Sequence, residues 1–247
     1  WRSLPLFMEK YGKRWLQRLE LGYVVLVLTV IEVIVLGSIL ILLPLLKLRR
    51  QSVCTGGKAA TVSYFLCLGL GFMMLEMVLI LHLNRFLGDP IYAAVGVITA
   101  FLVFSGAGSV SGGVQSWKPN KRIWVAAGGI CVYMALYCLF AGRLMAAFPS
   151  VGALARVAVA ILAIGPLAFL MGWPFPSGMN LLTKGAPAFI PWGWGINGFA
   201  SVAAPPAAVL LATAWGYTPV FAVGSALYIA AAAAATRMPG AVPKTPE

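Results

Sequence analysis

Residues 61–84 read TVSYFLCLGLGFMMLEMVLILHLN, and the fold is decided by this stretch. As a helix it would rise about 36 Å, enough to cross a hydrocarbon layer about 30 Å thick. Its apolar residues run on without the polar alternation that a β-barrel strand carries. In lipid a spanning segment satisfies its own backbone N–H and C=O groups, and a helix does this within the segment. The only ionisable side chains with a charge near neutrality are Glu76, deep in the run, and His82 near its end.

The same rule applied outward finds runs at 21–46, 91–115, 123–146, 153–172, 197–214 and 217–236. With 61–84 they predict an all-α polytopic transmembrane bundle of about seven spans. The whole composition agrees: of 247 residues, 61% are hydrophobic and 10% charged, with a mean hydropathy of +0.93. Soluble domains carry about 25% charged residues, so soluble, disordered and disulfide-stapled folds are excluded. Lys and Arg number 18 against six acids, a net +12. These bases sit in short stretches between apolar runs, where they face phosphate headgroups, so the partner they imply is the lipid bilayer and no nucleic acid is needed. They are shared almost evenly between the two sides, and the positive-inside rule assigns no orientation.

The flanks differ from the bundle, residues 21–236. Residues 1–20 are basic and aromatic, with Trp1, Phe7, Tyr11 and Trp15 among Lys10, Lys13, Arg14 and Arg18. They read as an amphipathic interfacial segment or the junction to a preceding soluble domain. Residues 237–247 form a polar, Pro-rich tail. The four cysteines make no framework: Cys131 and Cys138 are about 10 Å apart along one helix, too far for a disulfide. One histidine in the chain leaves little for a metal, and no metal ligand, cofactor or catalytic set is expected.

Two stretches interrupt the helical pattern and predict one broken region. Residues 172–178, GWPFPSG, carry Pro174 and Pro176; residues 187–198, PAFIPWGWGING, are dense in turn-formers, with Asn197 a candidate N-cap for the next span. Pro205-Pro206 predicts a kink or split in that span. Trp173, Trp192 and Trp194 read as interface anchors. Gly108 and Gly112, and the series Ala226, Ala230 and Ala234, show the small-x-x-x-small spacing of close helix packing. Glu76 is the leading binding candidate, with Ser177, Asn180 and Asn197 in the broken region as its expected partners. His82 reads as a wetted interfacial histidine. Glu32, near the middle of the first span, reads as facing a neighbouring subunit, because a carboxyl at that depth needs a partner, a proton or a cavity.

Five segments in order carry a resemblance: GLGFMMLEM at 69–77, FLGDPIY at 86–92, FSGAGS at 104–109, GWPFPSG at 172–178 and PWGWGINGFASV at 191–202. The series resembles the C-terminal membrane portion of large bacterial proteins in which a spermidine-synthase-like, S-adenosylmethionine-binding-type domain is fused to multi-span membrane regions. That resemblance implies a bacterial inner-membrane location and assigns any aminopropyl- or methyl-transfer chemistry to a soluble α/β domain. No strand, Gly-rich loop and helix in series matches such a domain here. The expectation is a module that is non-catalytic by itself, an anchor or accessory subunit of a larger membrane assembly. The alternative is a transporter or conduit for a cationic, polyamine-like substrate.

Overall fold

A computed structural model describes residues 14–39, 57–114, 117–146 and 152–240. Its helices are α1 (Arg14–Gly37), α2 (Lys58–Leu87), α3 (Pro90–Val114), α4 (Pro119–Ala146), α5 (Ala153–Met171), α6 (Pro174–Gly185), α7 (Ile190–Trp215) and α8 (Tyr217–Ala235). A 3₁₀ turn, Pro187–Phe189, precedes α7. No strand occurs among the described residues. Six helical stretches, with α5 and α6 counted together and the 3₁₀ turn joined to α7, are long and apolar enough to cross a bilayer. The chain is an all-α, multi-pass membrane protein. The expected first span, 21–46, is described only to residue 39, and its apolar part there, Leu21–Gly37, is shorter than a full crossing. Most of the segments 1–20 and 237–247 also lie outside the described residues.

The longest helix, α2, is the hub. It packs against α3, α5, α6, α7 and α8. An arc encloses it in which α7 touches α8, α8 touches α4, α4 touches α5 and α5 touches α3. The arc does not close, since α3 and α7 have at most grazing contact. Outside the arc, α1 leans on α7, where Gly37 admits the Phe199 ring.

Small residues set how close the helices come. On α7 the buried stripe Ala200, Ala204, Ala208 and Ala212 repeats every four residues and faces α2. There a Cβ on Gly69 would lie 2.6 Å from the Asn197 carbonyl oxygen. Between α3 and α5 the approach is closer still: a Cβ on Gly108 would run into the Phe169 carbonyl, and one on Gly172 into that of Ser105. The spacing at Gly108 is therefore used for packing. Of the alanine series on α8 only Ala234 packs against the core; Ala226 and Ala230 are exposed, while Gly224, Tyr228, Ala231, Ala232 and Ala235 face inward.

Helix starts follow local chemistry that run length does not show. Asp89 accepts hydrogen bonds from the Ile91 and Tyr92 N–H groups at 2.7 and 3.3 Å, and Pro90 needs no donor at the first helical position. Pro174 and Pro191 likewise stand in the first turns of α6 and α7. As a result the break expected over 172–178 shrinks to residues 172–173. Residues 190–198 are helix, Asn197 lies inside α7 rather than capping it, and the turn before α7 ends at Phe189. Turn-formers win in water, which satisfies freed backbone groups; at membrane depth the helix satisfies them instead. Pro205-Pro206 does not split α7 either, since the helix continues to Trp215.

Candidate functional site

The open side of the arc holds a cavity of about 360 Å³, within the range of small-molecule sites. Its floor is α2, through Leu68, Phe72 and Met73; one wall is α3, through Ser105, Gly106 and Ser109, and the other is α7, through Asn197 and Ser201. Met171, Gly172 and Phe175 bring the α5–α6 break over one end, and Tyr228 reaches in from α8. Along α2, Leu68 and Phe72 lie about 15 and 21 Å of helical rise from Lys58, inside the span.

The break is held by a tight set of bonds. Pro174 has no N–H for the Leu170 carbonyl, and Trp173 N–H takes that carbonyl at 3.2 Å instead. The Trp173 indole donates to Ser111 Oγ at 3.1 Å, and the Ser177 hydroxyl donates to the Trp173 carbonyl at 2.8 Å. From α2, the Tyr64 hydroxyl donates to the Pro174 carbonyl at 2.5 Å. Phe175 is clamped edge-on between Phe65 and Trp194, with centroids 5.6 and 4.7 Å away. Trp173 is thus a buried bonding residue, whereas Trp194 is 60% exposed, as an interface anchor would be.

The cavity walls are mostly apolar, yet two polar pairs at helical i, i+4 spacing face each other, Ser105 with Ser109 and Asn197 with Ser201. The Ser105 hydroxyl is bound to the Phe101 carbonyl. Ser109, Asn197 and Ser201 make no side-chain hydrogen bond among the described residues. Nor does the hydroxyl of Tyr228, a residue only 1% exposed whose ring lies against α2 at Gly71. Pro205 adds to this, because it cannot give an N–H to the Ser201 carbonyl four residues back.

The residues expected to act with Glu76 are placed apart from it. Ser177 is fully buried and spends its hydroxyl on the Trp173 carbonyl; Asn180 is exposed; Asn197 lines the cavity. Glu76 itself is 8% exposed, lies outside the cavity lining, and makes no hydrogen bond or ion pair among the described residues. Tyr228 lies within its electrostatic reach. Glu32 is exposed on α1. His82 is half-buried: its Nδ1 lies 3.1 Å from the Tyr137 hydroxyl, and Tyr137, Tyr217 and Phe221 stand edge-on around its ring. The end of α4 and the start of α8 cover it. Cys67, Cys131 and Cys138 are free thiols, and Cys54 lies outside the described residues. Among the described residues no three His, Cys, Asp or Glu side chains gather to hold a metal ion.

Ser201 and Tyr228 carry a signal that sequence reading passed over. Ser201 follows Asn197 by one helical turn and precedes Pro205 by another, and Tyr228 is a large polar aromatic at the head of an alanine run. The chain matches no protein-family model, no curated protein and no solved structure.

Proposed function

We propose that this chain is a non-catalytic membrane module, an anchor or accessory subunit that joins other membrane proteins or an attached soluble domain in the bacterial inner membrane. The observation that carries this reading is Glu32. It stands about 16 Å of helical rise beyond Leu21, on the exposed side of a helix that, among the described residues, leans mainly on α7. A carboxyl facing hydrocarbon at that depth costs at least ~2.5 kcal/mol when charged. A cationic or hydrogen-bonding group of a neighbouring subunit removes that cost. The resemblance to the membrane part of spermidine-synthase-like fusions supports the same role, with transfer chemistry housed elsewhere.

The test is co-purification of the full chain from its native membrane in mild detergent. The wild type is expected to bring down a stoichiometric partner, and Glu32→Leu to retain at least tenfold less of it while its own fold is unchanged. A wild type that elutes alone, or a variant with an undiminished partner, sinks the proposal.

A second reading, a conduit for a polyamine-like cation, is favoured by one observation, the buried Glu76, which makes no hydrogen bond or ion pair among the described residues. Ammonium groups are the natural complement of such a carboxylate. On this reading Glu76→Gln is expected to cut spermidine uptake into proteoliposomes at least tenfold; unchanged uptake ends it.

A further inference from the structure

The cleft between α3 and α7 carries an inference that does not depend on the subunit role. We propose that it holds an uncharged, lipid-soluble amphiphile, whose carbonyl or hydroxyl head is hydrogen-bonded by Asn197, Ser109 and Ser201 while its chain lies in the hydrocarbon layer.

Three observations select that chemistry. Among the described residues no charged side chain lines the cavity, so none of them offers a counter-charge to a phosphate or an ammonium group. The polar groups that do line it are hydroxyls and one carboxamide, and several have no partner among the described residues. Unmet hydrogen-bonding groups at membrane depth are costly, and a ligand head with both donors and acceptors meets them. Finally, α3 and α7 do not pack on each other, and Gly106 at the cavity wall is exposed, so the described helices leave a sideways path from the bilayer. A ligand entering that way never leaves hydrocarbon, which suits a molecule with an apolar tail.

Gly106 also provides a clean block. A Cβ there meets nothing within 4 Å, so a larger side chain at this cavity wall fits without displacing the bundle. The experiment measures equilibrium binding of two uncharged probes, labelled dioctanoylglycerol and labelled decylubiquinone, to the full chain in nanodiscs. Spermidine and dioctanoyl phosphatidylglycerol serve as competitors. At least one uncharged probe is expected to bind saturably, and which of them does so separates an acylglycerol source from a quinone source. Gly106→Leu is expected to weaken that binding at least tenfold with the thermal midpoint unchanged. The pair Asn197→Leu and Ser201→Ala should weaken it several-fold. No saturable binding of either probe, undiminished binding by Gly106→Leu, or displacement by spermidine or by phosphatidylglycerol as effective as by the uncharged probes would each overturn the proposal. None of these outcomes touches Glu32 or its partner, so the cleft and the subunit role stand or fall separately.

Discussion

Gly108→Ala is expected to destabilise the bundle by about 3 kcal/mol, the upper end of the usual cost of overpacking, whereas Gly128→Ala stabilises it by up to about 1 kcal/mol through helix propensity. The two substitutions add the same methyl group to the middle of a membrane helix. At Gly128 that methyl meets nothing within 4 Å. At Gly108 it falls on the Phe169 carbonyl, a main-chain group with no rotamer to change. The opposite side is equally tight, since a Cβ on Gly172 would lie 2.9 Å from the Ser105 carbonyl carbon and the Ser109 nitrogen. Helices α3 and α5 would then have to separate along their shared face and give up its dispersion contacts. Reversible unfolding in mixed micelles with increasing dodecyl sulfate measures both variants. A Gly108→Ala protein within 1 kcal/mol of wild type would mean that the two backbones do not touch there.

Those two glycines also mark how far the sequence could be read. Fold class and six of the seven expected spans were legible because the bilayer reduces them to run length, and 61–84 or 217–236 could hardly be anything but helices. Helix ends were less legible. GWPFPSG and PWGWGING contain residues that end helices in water, but proline in a first turn and glycine against a neighbouring helix begin and pack helices in lipid. Gly193, for example, faces the Phe65 ring within α7. The cleft was the least legible feature, because it depends on which faces meet. One short segment of α3 presents Gly108 to α5 and Ser105, Gly106 and Ser109 to the cavity, and only helical rotation separates the two uses. Asn197 was recognisable as a polar residue of the broken region, yet it lines the cavity from inside a helix rather than from a cap. Glu76 and Glu32 stood out as costly residues, and their surroundings are a property of packing that no spacing rule conveys.

Tyr64 should report what holds the break in place. Its side chain is fully buried, its ring meets Phe65 edge-on at 5.0 Å, and its hydroxyl donates to the Pro174 carbonyl at 2.5 Å. Tyr64→Phe removes only the hydrogen bond and is expected to cost about 1 kcal/mol. Tyr64→Ala removes the ring as well and leaves a cavity under α6, for which large-to-small aromatic substitutions cost about 3–5 kcal/mol. The same micelle titration measures both. The difference between the variants carries the argument: a Phe variant as unstable as the Ala variant would show that the hydroxyl, not the ring, pins α6 to α2. The ring is the better candidate because Gly178 is shaped around it, a Cβ there colliding with the tyrosine edge. Losing the ring should also loosen Phe175, which rests on the adjacent Phe65 and on Trp194. Tyr64→Ala is therefore expected to change the tryptophan emission at denaturant concentrations where the helical circular dichroism is still intact, while Tyr64→Phe leaves the two transitions coincident.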